Sequence, residues 1–220
     1  DDLAAAVQSL GIPTYLGGMA RGLLGQYNDV QFRHKRSKAL KAADLVIVVG
    51  FPFDFRLGYG KSINSSATVV AVNRSPFDLR KNRRPTLGIR ADGSQFLQDL
   101  ARATGGVGGP WGSWFDTLRD NENEREAEIS AQAELPATEY INPLLVCQRL
   151  EKHMDEDAIM VVDGGDFVAT ASYIVRPRTP LSWLDPGVFG TLGVGGGFAL
   201  GASQSRPGSE IWIIYGDGSA

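Results

Sequence analysis

Strand-like and helix-like stretches alternate over the first part of the chain. Continuous apolar and largely β-branched runs predict buried strands at 45–50, 67–72 and 87–90. Helical periodicity predicts helices at 37–43 and 93–103, on either side of these strands. Strands that are apolar throughout and alternate with helices are typical of a parallel sheet covered on both faces. The pattern therefore predicts an α/β domain over residues 1–104.

The same alternation returns after residue 141. Asn142 and Pro143 are a preferred N-cap and first-turn residue, and they predict a helix that runs to Met154. A strand at 159–163 leads into a helix at 167–175, and a glycine-rich helix at 192–204 leads into a strand at 211–215. This pattern predicts a second α/β domain over residues 141–220.

The stretch at 105–140 separates the two patterns. It opens with a glycine cluster at 105–110, and residues 116–134 then carry seven acidic side chains and two arginines. A charge run of this kind predicts a solvated helix or linker between domains. An acidic surface that binds a partner is the alternative.

Composition narrows the class of protein. The chain is 43% hydrophobic, which excludes disorder as the main state, and it has no apolar run of the length that a membrane-spanning helix needs. A formal net charge of −3 argues against nucleic-acid binding as the main task. Cys147 is the only cysteine, so the chain has no internal disulfide. Because the sequence begins inside a helical pattern and stops just after a strong strand, we expect a soluble fragment of a longer protein.

Four familiar functional motifs are suggested by the sequence, but each lacks a residue that it requires. A dinucleotide fingerprint that starts at Gly193 would need its third glycine at Phe198, and a phosphate loop that ends at Gly60 would need a glycine five residues earlier, where Phe55 stands. Two histidines, His34 and His153, have no second ligand at metal spacing, which favours surface or core histidines. Cys147 lies in mid-helix without a histidine signature, so it is interpreted as a packed core thiol.

Three glycine-rich segments remain as candidates for chemistry, at 164–167, 190–197 and 216–218. The first lies where a strand ends and a helix begins, and there the backbone N–H groups and the helix dipole favour a phosphate. The second places glycines in the first turns of a helix, which a chain keeps when a ligand or another backbone approaches closely. The third places Asp217 on a tight turn after a strand, where one carboxylate together with phosphate oxygens suits Mg²⁺.

In this order and spacing, the segments resemble the diphosphate-binding domain of thiamine-diphosphate (ThDP) enzymes, the superfamily of acetolactate synthases and 2-hydroxyacyl-CoA lyases. Residues 216–219 match the start of that family's metal–diphosphate motif, and 189–195 match its pyrimidine-side loop. Residues 1–104 are similar to the family's Rossmann-like central domain. Longer stretches at 161–168 and 183–195 are most similar to animal 2-hydroxyacyl-CoA lyases. The resemblance implies a Rossmann-like central domain, a linker at 105–140, and the first half of a ThDP-binding α/β domain.

The resemblance also implies roles for individual residues. Asp217 would coordinate Mg²⁺ on the cofactor's diphosphate, and the residues lining that diphosphate would be Gly165, Asp166, Phe167, Gly218 and Ser219. The carbonyl of Gly190 would accept a hydrogen bond from the aminopyrimidine, and Leu192 would be the wedge that keeps the cofactor bent. Arg56 and Asn73 match positions near a nucleotide site of the central domain, where FAD or the adenosine of CoA are the alternatives.

For function, the resemblance implies a ThDP- and Mg²⁺-dependent lyase of fatty-acid α-oxidation. It would cleave a 2-hydroxyacyl-CoA to a shortened aldehyde and formyl-CoA, in a homodimer or homotetramer at the endoplasmic reticulum membrane. The family's catalytic glutamate belongs to an N-terminal domain, so this chain would contain no catalytic residue and would be inactive alone. Condensation of 2-oxo acids by an acetolactate-type synthase is one alternative. A non-catalytic nucleotide-binding or assembly module is another, with the basic stretch 74–90 either binding a CoA phosphate or forming a solvated surface.

Overall fold

The structure is a computed structural model that describes residues 2–106, 111–136 and 139–220. The described helices are α1 Asp2–Leu10, α2 Arg36–Ala42, α3 Gly93–Thr104, α4 Gly112–Ala133, α5 Pro143–His153, α6 Asp166–Ile174 and α7 Gly195–Ser205. The described strands are β1 Thr14–Tyr15, β2 Gln31–Phe32, β3 Leu45–Val49, β4 Thr68–Asn73, β5 Leu87–Arg90, β6 Ile159–Val162, β7 Trp183–Leu184 and β8 Ile211–Ile214. Short 3₁₀ helices lie at Gly18–Ala20, Phe55–Gly60, Asp78–Arg80, Gly187–Phe189 and Asp217–Ser219.

The chain folds into two compact units whose residues do not follow chain order. The first unit comprises Asp1–Pro13 and Lys35–Arg119, and the second comprises Thr14–His34 and Asp120–Ala220. Segment Thr14–His34 belongs to the second unit because it packs there: the Arg21 guanidinium donates to the Ser172 carbonyl, and a side chain at Gly22 would collide with the Thr179 carbonyl. The predicted boundaries at 104 and 141 divide the chain into consecutive segments, so they do not place Thr14–His34 with the second unit.

The first unit is built on a three-stranded parallel sheet in the order β3-β4-β5. Val46 pairs with Val69 and Val48 with Ala71, so small and β-branched side chains share one buried face. Phe53, which is fully buried in the loop after β3, completes that core. The predicted parallel α/β arrangement is confirmed here.

The second unit has its own three-stranded parallel sheet, in the order β7-β6-β8. The central strand β6 is buried along its whole length. Met160 and Val162 point into a core that contains Trp183 and Cys147, whereas Ile159 and Val161 face α7 on the other side. Both faces of this sheet are therefore covered, as continuous apolar strands predict.

Local signals explain where the helices begin. Asn142 Oδ1 accepts a hydrogen bond from the Leu144 N–H, and Pro143 occupies the first turn of α5, as predicted. Asp92 caps α3 in the same way, through the N–H of Gln95. Because β6 and β8 run parallel, their carboxyl ends meet at one edge of the sheet, and this edge carries two of the three glycine-rich segments.

The acidic stretch between the two patterns is mainly helix α4, and the prediction that it is solvated is wrong for one of its faces. Ile129 and Ala133 are almost fully buried, and Ile129 belongs to the core of the second unit. Glu122, seven residues before Ile129, lies on the same buried face. The outward face is charged, and none of the described helices is both long and apolar enough to cross a membrane.

Candidate functional site

The three glycine-rich segments converge at the carboxyl edge of the second sheet. A β-carbon on Gly165 would lie 3.9 Å from Leu192 Cδ2, and one on Gly218 would lie 3.9 Å from Leu192 Cδ1. A β-carbon on Gly216 would lie 3.9 Å from Cδ2 of Phe167. Segments that stand up to 49 positions apart in the sequence, Phe167 and Gly216 being the most distant pair, thus lie close together in the fold.

The turn between β6 and α6 requires glycine for its conformation. Gly165 has φ 84° and ψ −163°, a region that essentially only glycine occupies. It directly precedes α6 and has no side chain with which to cap the N–H groups of the first turn. Asp166 lies exposed in that first turn. The start of α6 therefore offers backbone donors to an anion.

The loop that carries Gly190 and Leu192 lies against this turn. A β-carbon on Gly164 would lie 2.6 Å from the Thr191 carbonyl oxygen and 2.5 Å from Leu192 Cδ2, so only glycine fits at 164. Leu192 is half exposed, and Gly190 adopts the left-handed conformation at φ 55°. Asp185 fixes the start of the loop by accepting hydrogen bonds of 2.7 Å from both the Gly187 N–H and Trp183 Nε1.

Asp217 lies on the turn that follows β8. The Ser219 N–H donates to the Gly216 carbonyl at 3.0 Å, which closes the 3₁₀ turn Asp217–Ser219. The Asp217 side chain is exposed, and within the described part of the chain it forms no ion pair. Its carboxylate oxygens are therefore available to a cation.

Asp163, which was not among the predicted site residues, links these segments. Its side chain is 1% exposed, and its Oδ1 accepts hydrogen bonds from the N–H groups of Gly164 at 2.6 Å and Gly193 at 3.1 Å. Its Oδ2 accepts from the N–H of Gly195 at 2.8 Å. An acidic residue at the end of an otherwise apolar strand was the available signal.

In the first unit, the two predicted nucleotide-site residues belong to neighbouring strands: Arg56 lies after β3, and Asn73 is the last residue of β4. Arg56 donates to both carboxylate oxygens of Asp54 and stacks on Phe51, with its guanidinium 4.1 Å from the ring centre. Burial opposes ionisation of Asp54, but its hydrogen bonds with Arg56 outweigh that effect and lower its pKa. The Asn73 Oδ1 accepts from the N–H of Ser75 at 2.9 Å. These polar groups are engaged within the protein, and nucleotide binding by them stays a prediction.

His34 has carboxylate neighbours that its sequence spacing did not reveal. One ligand atom from each of His34, Glu122 and Glu126 lies within 4.8 Å of the others. Glu122 accepts hydrogen bonds from the backbone N–H groups of Arg33 and His34, and Glu126 Oε1 lies 3.0 Å from His34 Nε2 and 2.6 Å from Arg176 Nη2. Burial lowers the pKa of Arg33 to about 10. Arg33 and Arg176 pair with Glu126, and backbone N–H groups bind Glu122, so the described groups form a partly buried ion network.

Family models match both halves of the chain. The model described as "Thiamine pyrophosphate enzyme, central domain" matches residues 1–100. The model described as "Thiamine pyrophosphate enzyme, C-terminal TPP binding domain" matches residues 163–220. The second match begins at Asp163 and contains all three converging segments.

Curated relatives align over essentially the whole chain. A 2-hydroxyacyl-CoA lyase 2 from Danio rerio is 49% identical over 223 residues, which is 100% of this chain and 36% of the relative. The protein of the same name from Homo sapiens is 43% identical over 224 residues, 100% of this chain and 35% of the relative. An acetolactate synthase large subunit from Mycobacterium tuberculosis is 34% identical over 218 residues, 99% of this chain and 39% of the relative. The chain thus spans little more than a third of the length of these relatives.

Proposed function

Because the chain belongs to the thiamine pyrophosphate enzyme family, we propose that its second unit binds the diphosphate of ThDP at the carboxyl edge of β6 and β8. The observation that carries this proposal is the convergence of the three glycine-rich segments at that edge. Glycines at 164, 165 and 218 leave the edge without β-carbons, so a diphosphate can approach the backbone closely. The uncapped start of α6 supplies N–H groups and the positive end of a helix dipole.

Each predicted residue has a place in this proposal. The diphosphate would contact Gly165, Asp166 and Phe167 on one side and Gly218 and Ser219 on the other. The exposed carboxylate of Asp217 would coordinate Mg²⁺, a cation that often takes one or two carboxylates together with phosphate oxygens. The Gly190 carbonyl would accept a hydrogen bond from the aminopyrimidine, and Leu192, which lies against Gly164, would support the bent cofactor.

We assign the complete protein to carbon–carbon cleavage of a 2-hydroxyacyl-CoA, giving a shortened aldehyde and formyl-CoA. Identities of 43% and 49% with proteins named 2-hydroxyacyl-CoA lyase 2 favour this reaction over acetolactate synthesis, since the acetolactate synthase subunit is 34% identical. The bound cofactor supplies the electron sink for the cleavage. The residues of this chain bind and orient the cofactor, and the general acid–base belongs elsewhere in the complete protein.

Further parts of the proposal concern the complete protein. They are a homodimeric or homotetrameric assembly, a location at the endoplasmic reticulum membrane, and a role in fatty-acid α-oxidation. The division into a central domain at 1–104, a linker at 105–140 and a ThDP-binding domain at 141–220 belongs to the same proposal. So does a site for FAD or CoA-adenosine near Arg56 and Asn73.

A ThDP titration of the full-length protein at fixed Mg²⁺ tests the site. Asp217→Asn keeps the side-chain shape and removes the charge that would face the metal, so we expect ThDP affinity to fall at least about tenfold, which corresponds to about 1.4 kcal/mol. Asp166→Asn is the matched control, because backbone groups rather than its carboxylate would face the diphosphate, and its effect should be smaller. Unchanged affinity in Asp217→Asn would remove the metal-ligand assignment.

Product analysis separates the two reactions. The full-length protein should release formyl-CoA from a 2-hydroxyacyl-CoA and should not condense 2-oxo acids. The 220-residue chain alone should do neither above the rate of free ThDP with Mg²⁺. Condensation of 2-oxo acids without formyl-CoA release would instead establish the acetolactate-type alternative.

A further inference from the structure

Asp163 is a buried carboxylate, and its hydrogen-bond partners among the described residues are all backbone groups. It is 1% exposed, and its three donors are the N–H groups of Gly164, Gly193 and Gly195. A buried charge without a cation partner is costly to keep. Charge-assisted hydrogen bonds from several N–H groups are what can offset that cost. This arrangement therefore needs a reason beyond filling the core, which an apolar residue could do.

The loop at Gly193 and the start of α7, which both bond to Asp163, have backbone conformations that their own residues do little to stabilise. Gly193 has φ 83°, and helix α7 starts with three consecutive glycines, each of which disfavours a helix relative to alanine. The N-cap position of α7 is Val194, whose side chain cannot accept a hydrogen bond. Instead, the carboxylate of Asp163, which follows β6, caps the helix by accepting from the Gly195 N–H at the positive end of the helix dipole.

The same bonds determine which helix start can take a ligand. Two helices, α6 and α7, begin at the carboxyl edge of this sheet. An internal anion already occupies the start of α7, whereas the residue before α6 is Gly165, which has no side chain. The internal carboxylate thus directs an external anion toward α6 and away from α7.

Asp163 also fixes the position of Leu192. Gly193, the next residue, is bonded to Asp163 Oδ1, and the same oxygen holds Gly164. The side chain of Leu192 lies so close to Gly164 that no β-carbon would fit between them. Without the shared carboxylate, nothing polar among the described residues would tie the loop to the turn at this point.

We infer that Asp163 is the positioning residue of the cofactor site, holding the Gly190–Gly195 loop and its Leu192 side chain against the Gly164–Gly165 turn. This inference rests on the proposed function for its link to ThDP. Asp163 does not touch the cofactor or substrate itself, because both of its carboxylate oxygens accept from the backbone and the residue is shielded from solvent.

Asp163→Asn in the full-length protein tests the inference. An asparagine has one acceptor oxygen and an NH₂ group, and that group must face at least one of three N–H donors. Without ThDP, we expect amide hydrogen exchange over 190–197 to become at least about tenfold faster, while β6 and β3 keep their protection. With ThDP added, its dissociation constant should rise at least about tenfold. The matched control is Asp157→Asn at the opposite, exposed end of β6, which should change neither quantity.

Loop exchange and ThDP affinity equal to those of the wild type in Asp163→Asn would overturn the inference. If that variant loses protection throughout, Asp163→Glu decides instead, because it keeps the charge and displaces the carboxylate by one methylene. A positioning role predicts a folded Asp163→Glu protein with faster loop exchange and weaker ThDP binding, whereas a merely structural role predicts unchanged ThDP affinity. Exchange without ThDP tests the loop alone, so a wild-type protein that fails to bind ThDP would refute the proposed function and leave the loop result standing.

Discussion

Substituting Gly195 by alanine probes the packing at the start of α7. A β-carbon at this position would lie 3.0 Å from Asp163 Oδ2 and 3.2 Å from Ile213 Cγ2. Gly197, two residues later in the same helix, has no described atom within 4 Å of its β-carbon position apart from its chain neighbours and the backbone of its own helix. The two glycines share a helix and differ in their surroundings, which makes Gly197→Ala the matched control.

The expected magnitudes follow from these surroundings. Replacing an exposed helical glycine by alanine stabilises a helix by about 0.5–1 kcal/mol, and Gly197→Ala should show this gain. At Gly195 the new methyl group has to push away a carboxylate held by three hydrogen bonds and a methyl group of β8. Overpacking of this kind costs about 1–3 kcal/mol and outweighs the gain in helix propensity. We expect Gly195→Ala to be less stable than Gly197→Ala by about 2 kcal/mol.

Denaturant and thermal unfolding followed by tryptophan fluorescence measure this difference, since Trp183 and Trp212 both report on the second unit. For a chain of this length, about 2 kcal/mol corresponds to a difference in melting temperature of about 4–8 °C. Equal melting temperatures for the two variants would refute the reasoning, because they would mean that the methyl group at 195 meets no resistance. A Gly195→Ala protein more stable than wild type would refute it more strongly.

Three further predictions follow from other contacts. Gly164→Ala should weaken ThDP binding by at least about tenfold in a titration, because its methyl group would have to displace the Thr191 carbonyl; unchanged affinity would show that the loop can move freely. Burial opposes ionisation of Glu126, but its bond with His34 and the nearby arginines outweigh that effect and lower its pKa below the usual 4.5. Its contribution to stability is therefore present above about pH 4.5 and lost as the pH falls through the lowered pKa, so Glu126→Gln should flatten the pH dependence of unfolding below about pH 4.5. Cys147 is 1% exposed and its thiol pKa is raised by burial, so it should react with a thiol reagent only on unfolding; rapid labelling of the native protein would contradict its placement in the core.

The sequence alone was sufficient to predict most of the secondary structure and the positions of the glycine-rich segments, but not the two-residue strands β2 and β7. Apolar runs fixed β3, β4, β6 and β8, because a strand covered on both faces has no polar position to interrupt it. Asn142 and Pro143 fixed the start of α5 through bonds to residues only two positions away. These signals involve residues that are close together in the chain, so they can be recognised from the sequence alone.

Which segments pack against each other depends on contacts between residues far apart in the chain. The sequence does not show that Thr14–His34 packs with the second unit, or that Glu122 is buried, because both depend on partners at least 88 residues away. In the sequence, Asp163 is only the last residue of a predicted strand, and its role becomes visible when the fold brings Gly193 and Gly195 to its two oxygens. A buried charge can be tolerated only where distant donors surround it, and the meeting of those donors is a property of the folded chain alone.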